Sequence, residues 1–154
     1  GVVTAATSSP LTDGSSFSLV ASQRAVNEYN LTPMARIVSA AVVGVNPDEM
    51  GLGPIPSTLL VLKRAGLSVE DLDVIELNEA FSSQSLACID ELNLPIEKIN
   101  IDGGAIALGH PLGASGARIV GKTASLLQRN GGQYGLATMC IGGGMGIATI
   151  LERV

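Results

Sequence analysis

Apolar positions along the chain fall into stretches of two periods that alternate in order. Residues 2–6 are short and apolar and predict a strand. Asp13-Gly14 marks a turn, after which Phe17, Val20, Ala21, Ala25 and Tyr29 recur at helical spacing, so a helix is expected over 15–29. Residues 35–45, rich in Val, Ile and Ala and bounded by Pro33 and Asn46-Pro47, predict a long buried strand. A Gly/Pro loop over 46–53 leads into a helix over 54–65. The prolines in its first turn lack only N–H groups that would be unpaired there, and Gly66 is placed as its C-cap. A strand over 74–77, a helix over 79–92 and a brief strand over 99–101 follow. The helix expected over 115–128 has Ala117, Val120, Gly121, Ala124 and Leu127 as its inner stripe, with Gly131-Gly132 ending it. Strands over 134–139 and 147–151 are joined by Ile141-Gly142-Gly143-Gly144, a hairpin connection.

Strands that alternate with helices and close on a strand pair imply the α/β class: a mixed sheet with helices on both faces, of βαβαβαββ type. Strands joined through helices should run parallel and the last hairpin antiparallel. No repeat or linker divides the 154 residues, which are expected to form one domain. Gly1 leads directly into an apolar stretch, so the chain is expected to be the second part of something longer. With 46% hydrophobic but only 3% aromatic residues, the core must be built from Ala, Val, Ile and Leu. The 19 glycines fit tight turns and close-packed layers. A net charge of −5 and the absence of a Lys/Arg cluster argue against a nucleic-acid surface. No apolar run reaches membrane-spanning length, so no membrane partner is expected. Two cysteines, Cys88 and Cys140, do not make a disulfide framework, and a reducing, cytoplasmic setting is the default, with an organelle such as the mitochondrion or peroxisome left open.

Three segments have the residue types for chemistry, and each has a plainer alternative. Asn78-Glu79-Ala80-Phe81 stands where a strand gives way to a helix, the edge at which open α/β folds bind ligands. Taken alone, Asn78 reads better as an N-cap, with Glu79 complementing the helix dipole. Residues 103–116, Gly-Gly-Ala-Ile-Ala-Leu-Gly-His-Pro-Leu-Gly-Ala-Ser-Gly, hold the single histidine, His110, which is either a packed loop residue or a proton handler. In Cys140-Ile141-Gly142-Gly143-Gly144-Met145-Gly146 a cysteine at a strand end opens onto three glycines. That thiol is either accessible or simply a small apolar residue before a flexible hairpin. Cys88, between Ala87 and Ile89, reads as core.

These three motifs, in this order and spacing, resemble the C-terminal motifs of the thiolases. Gly-Leu-Gly-Pro-Ile-Pro at 51–56 and Val-Thr-Ala-Ala-Thr-Ser-Ser-Pro-Leu-Thr-Asp-Gly at 3–14 are similar to that family as well. The resemblance covers essentially the whole chain and implies a thiolase-like C-terminal domain. It also implies what is missing: a first half with a loop domain and the nucleophilic cysteine. On that basis the chain alone should lack the acyl-carrying nucleophile and should need an N-terminal thiolase half or subunit as its partner, within a homo-oligomer.

The resemblance implies the following roles. The substrate is an acyl-CoA, and no cofactor or metal is needed beyond the coenzyme A thioester itself. The absent thiolate attacks a 3-ketoacyl-CoA and is acylated, dividing one hard carbon–carbon cleavage into two easier steps. In the other direction two acetyl-CoA condense to acetoacetyl-CoA. His110 takes the nucleophile's proton. His110 and a water held by Asn78 donate to the enolate oxygen, at a worth of roughly 2.7–4 kcal/mol per preorganised donor. Cys140 protonates the enolate carbon, the Gly142 N–H contributes to a second oxyanion hole, and Met50, Ala80 and Phe81 line the acyl pocket. Ketoacyl-carrier-protein synthases share the fold but use two histidines, and thiolase-like lipid-carrier proteins replace Asn-Glu-Ala-Phe by a histidine-containing motif. The single histidine and intact asparagine motif here favour an acetyl-CoA acetyltransferase or 3-ketoacyl-CoA thiolase. The alternative is an isolated, inert domain. The small-residue stripe Ala117, Val120, Gly121 and Ala124 suits close helix contact, so the chain alone should expose an apolar patch.

Overall fold

The computed structural model describes residues 1–154. Its centre is a four-stranded sheet built from β1 (Ala35–Gly44), β2 (Leu72–Leu77), β3 (Tyr134–Ile141) and β4 (Met145–Arg153), in the order β1-β4-β3-β2. β2 and β3 are parallel, while β4 runs antiparallel to both of its neighbours, so the sheet is mixed as expected. The hairpin pairs Cys140 with Gly146 and Ile141 with Met145, and Gly143 and Gly144 turn it at positive φ, where a side chain would be strained.

The helices are α1 (Gln23–Glu28), α2 (Pro54–Ala65), α3 (Ser82–Leu92), α4 (Ala105–Leu108) and α5 (Leu112–Asn130). Gly66, Asn93 and Gly131, all left-handed, end α2, α3 and α5. One face of the sheet packs on α2 and the end of α3, where Val61, Leu62 and Leu92 meet Ile75, Leu136 and Ile150. The other face packs on α5, where Ile119, Ala124, Leu126 and Leu127 meet Val74, Ala137, Met139 and Leu151. Helices therefore cover both faces, and the core is aliphatic.

Two expected elements are not formed. Residues 2–6 are no strand. Thr7 Oγ1 donates to Val2 O at 3.0 Å and accepts from Thr4 N at 2.8 Å, and Ser8 Oγ donates to Thr4 O at 2.7 Å. These local bonds curl the segment into a single 3-10 turn, Ala5–Thr7. The leading strand of the βαβαβαββ expectation is thus absent. Of the helix expected over 15–29, only α1 forms, with Ser22 Oγ capping Ala25 N at 3.2 Å. The serines before it compete for backbone partners: Ser16 Oγ donates to Ala114 O at 2.5 Å. Phe17 and Val20, the start of the supposed stripe, are 96% and 75% exposed. The strand expected over 99–101 is reduced to one parallel bridge between Ile75 and Ile99.

The apolar patch expected on α5 takes the form of an open cleft. Ala124 is buried in the core, and Val120, Gly121 and Ala124 line a cleft of about 690 Å³ with Phe17, Val26 and Met34. Leu11, Phe17, Leu19 and Leu112 remain exposed. No helix is long and apolar enough to cross a membrane.

Candidate functional site

β2 and β3 run side by side, and their carboxyl ends carry two of the three motifs. Asn78 follows β2 directly, and its backbone N–H donates to Thr138 O at 3.0 Å, which ties it to β3 two residues before Cys140. α5 leads down from this edge and returns as β3, so the segment that precedes α5 is at the same edge. That segment holds His110.

The chain then closes on itself. Asn78 Nδ2 lies 3.4 Å from His110 Nε2. His110 Nδ1 lies 2.7 Å from Ser115 Oγ, whose hydroxyl is also 3.1 Å from Pro111 O. Asn78 is buried, and its Oδ1 has no partner in the chain. A buried amide oxygen without a partner is costly and is the atom a bound water or ligand would satisfy. Partial burial, with the positive charge of Arg118 second, lowers the His110 pKa below its ordinary value. Both causes favour the neutral imidazole over the charged one.

Sequence expectation placed Asn78 or Glu79 at the start of a helix over 79–92. α3 instead begins at Ser82, and its cap position, Phe81, makes no side-chain cap bond. Asn78 is thus free of the capping role. Glu79 serves a different helix: its Oε2 accepts from Ile106 N at 3.2 Å, and its Oε1 accepts from Asn100 Nδ2 at 2.9 Å. Asn100, at positive φ, also grips Leu77 by both backbone groups, donating to Leu77 O at 2.8 Å and accepting from Leu77 N at 3.0 Å. A Cβ at Gly104 would overlap this carboxylate and push it off the two groups it holds. Glu79 therefore clamps the glycine segment to the end of β2, and His110 follows the anchored Ile106 by only four residues, a reach of at most about 14 Å of chain. The N-terminal stretch straps the outside of the same loop. Thr12 occupies the space beside Gly109, which sits at positive φ, and Pro111 packs over Gly14.

Of the two readings of Cys140, accessible thiol or small apolar residue, the structure shows the buried one: it is 8% exposed. The hairpin is pressed against the residues before α2, so closely that a Cβ on Gly146 would overlap the Gly53 backbone. Burial raises the Cys140 thiol pKa. Strand alternation places Cys140 with Thr138 on the α2 face, whereas α5 covers the other face. Any meeting of thiol and imidazole must take place around the strand ends. Cys88 is fully buried in α3, as expected for core, and burial pushes its thiol up to about 11. Gly142 is exposed, with open space beyond its α-carbon. Met50, half-buried, lies in the 3-10 stretch Pro47–Leu52, Ala80 is half-buried, and Phe81 is 37% exposed in a bridge with Ser8. Neither the cleft beside α5 nor a smaller one of about 260 Å³ beside Leu77 and Ile106 is lined by Asn78, His110, Cys140, Gly142, Met50, Ala80 or Phe81. No group of three or more His, Cys, Asp or Glu is arranged to hold a metal ion.

Two features escaped sequence reasoning. Ser115 read only as the start of a helix, though its place five residues after the one histidine was a usable signal. Glu76, inside β2, is buried against α5, and burial pushes its carboxyl up to about 7 despite Arg118 and Lys122 nearby. Its alternation with Val74 pointed to that face.

Comparison with known proteins bears on the whole chain. The family model described as "Thiolase, C-terminal domain" matches residues 31–153. A 3-ketoacyl-CoA thiolase of Salmonella typhimurium is 57% identical over 157 aligned positions, covering 100% of this chain and 41% of that protein. One from Vibrio vulnificus is 56% identical, over 99% of this chain and 40% of its own length. The crystal structure of human mitochondrial 3-ketoacyl-CoA thiolase superimposes with a TM-score of 0.92 at 46% identity, over 99% of this chain and 39% of that one. The same human enzyme in complex with CoA gives a TM-score of 0.91. The chain thus spans about two fifths of the length of the relatives it matches.

Proposed function

The chain belongs to the thiolase family as a C-terminal domain, and on that premise we propose that it supplies the proton-handling half of a site that cleaves 3-ketoacyl-CoA or, in reverse, joins two acetyl-CoA. The observation that carries this reading is the contact of Asn78 with His110 at the strand edge that also bears Cys140, with a buried Asn78 oxygen left unpartnered. A neutral imidazole suits a base. Its Nε2 accepts the proton of a cysteine thiol supplied by a first half, and the thiolate attacks the 3-carbonyl carbon of the substrate. The C2–C3 bond breaks and its electron pair passes to acetyl-CoA as an enolate. The protonated His110 and a water on Asn78 donate to the enolate oxygen. The Cys140 thiol, whose raised pKa keeps it protonated, delivers a proton to C2. The coenzyme A thiol then gives its proton to the Cys140 thiolate and takes the acyl group from the first-half cysteine, whose leaving thiolate regains its proton from His110, with the Gly142 N–H donating to the tetrahedral oxyanion. Met50, Ala80 and Phe81 wall the acyl group once the first half closes over them.

The nucleophile itself must come from elsewhere. Both cysteines of this chain are buried with raised thiol pKa values, so both rest as thiols and neither is a ready nucleophile; a Cys140 thiolate arises only within the cycle, once it has given up its proton. This favours a second reading for the chain by itself, a folded but inert domain awaiting its partner half. The test is thiolysis of a 3-ketoacyl-CoA by the chain alone and after joining to a cysteine-bearing N-terminal thiolase half. Activity only in the joined form, lost in His110→Ala, supports the proposal. Full activity in His110→Ala overturns it.

A further inference from the structure

We propose that Ser115 is a positioning residue that fixes the neutral His110 ring with its proton on Nδ1, leaving Nε2 as the single nitrogen that takes up and returns protons. The serine is fully buried, so its hydroxyl is left with the two partners it touches: His110 Nδ1 at 2.7 Å and Pro111 O at 3.1 Å. A hydroxyl has one proton to give. Asn78 turns its amide nitrogen, a donor, toward Nε2, which therefore accepts and leaves the ring proton on Nδ1; Ser115 Oγ then accepts from Nδ1–H and gives its own proton to the Pro111 carbonyl, one turn back in the helix, which also takes Ala114 N at 2.8 Å and Ser115 N at 2.9 Å. Nε2 then carries its lone pair toward Asn78 Nδ2 at 3.4 Å, a loose contact that a substrate group can replace. The arrangement also survives turnover. Protonation at Nε2 leaves the bond from Nδ1–H to Oγ unchanged, whereas the opposite tautomer would make the buried hydroxyl reverse with every proton moved.

The catalytic meaning of this tautomer rests on the function proposed above; the tautomer itself does not. His110 is the only histidine, so a ¹⁵N-labelled chain reports both ring nitrogens in a long-range ¹H–¹⁵N correlation spectrum without assignment. At neutral pH the Nδ1-protonated form is expected to dominate, and Ser115→Ala, its fold verified by the amide spectrum, is expected to relax toward a mixture with the Nε2–H form. A dominant Nε2–H form in the unaltered chain overturns the inference, and that spectrum decides even where the variant fails to fold. An unchanged tautomer in Ser115→Ala overturns it too. In the chain joined to an N-terminal thiolase half, Ser115→Ala is expected to lower kcat about tenfold or more with KM unchanged. Undiminished kcat there overturns the positioning role, whereas an active His110→Ala enzyme overturns the functional reading instead.

Discussion

Asn78 and His110 stand 32 residues apart in sequence and meet side chain to side chain, with Nδ2 of one 3.4 Å from Nε2 of the other. One is delivered by a strand end, the other by a loop before a helix on one face of the sheet. Each is held by a neighbour that does no chemistry in the proposed reaction: Thr138 holds the Asn78 backbone and Ser115 holds the far ring nitrogen.

Asn78→Ala removes the amide while leaving the strand end in place. In the joined enzyme it is expected to lower the thiolysis rate by about 10²–10³, the loss typical of one preorganised donor. Steady-state kinetics measure this, and a rate within a factor of two of the unaltered enzyme would remove Asn78 from the site.

Glu79→Ala cuts the anchor between β2 and the glycine segment. Two charge-assisted bonds are lost, from Asn100 Nδ2 and Ile106 N. A stability loss of about 1.5–3 kcal/mol is expected, read from the midpoint of urea unfolding, with the His110 ring signals broadened or shifted as the loop loosens.

Glu76 gives the fold a pH dependence of its own. Its carboxyl stands at about 7 in the folded chain against 4.5 ordinarily, chiefly through burial. The folded state therefore binds the extra proton. The stabilisation is fully present below about pH 4.5 and is lost as pH rises through 7. Glu76→Gln should abolish that slope and make the chain more stable than the unaltered one above pH 7, by about 3 kcal/mol at most. Asp102 works in the opposite sense. Arg129, at 2.7 and 2.8 Å, and Lys122 hold its carboxyl well below the ordinary 3.8, so its contribution is lost only as pH falls below that value. Urea midpoints at pH 5 and pH 8 report Glu76 alone, and a fall in the midpoint below the ordinary carboxylate value reports Asp102.

Gly146→Ala forces a methyl group into the Gly53 backbone beneath the Cys140 hairpin. Backbone cannot rotate out of the way as a side chain can, so the change is expected to cost at least about 1–3 kcal/mol and to expose Cys140. Alkylation of Cys140 at neutral pH, slow in the unaltered chain, should become fast when followed by intact mass.

Much of the fold was legible because local and tertiary demands agree. The prolines and Gly66 bounding α2 and the glycines between Cys140 and Gly146 sit where turn chemistry places them, and the β-branched run of 35–45 does form β1, though as an edge strand with only Ala41 buried rather than the buried strand expected. Reading failed where spacing was right but burial was missing. Phe17, Val20 and Tyr29 repeat like a helix, yet nothing in the chain covers them, and nearby serines take the backbone instead. Residues 2–6 are apolar but have no strand to pair with. For the site, spacing brought forward Asn78, His110 and Cys140 only as candidates with plain alternatives, and the family resemblance supplied their roles. What neither revealed was the support: Glu79 acting on a helix twenty-six residues downstream, Ser115 behind the ring, and the burial of Cys140 under the loop before α2. Those depend on contacts between segments remote in sequence.

The central claim, that this domain moves the protons of a carbon–carbon bond step, is tested most directly by deuterium exchange into the methyl group of acetyl-CoA in D₂O, catalysed by the chain joined to an N-terminal thiolase half. Exchange in the unaltered protein that disappears in Cys140→Ala is the predicted result. Exchange that continues at the same rate in Cys140→Ala would contradict it.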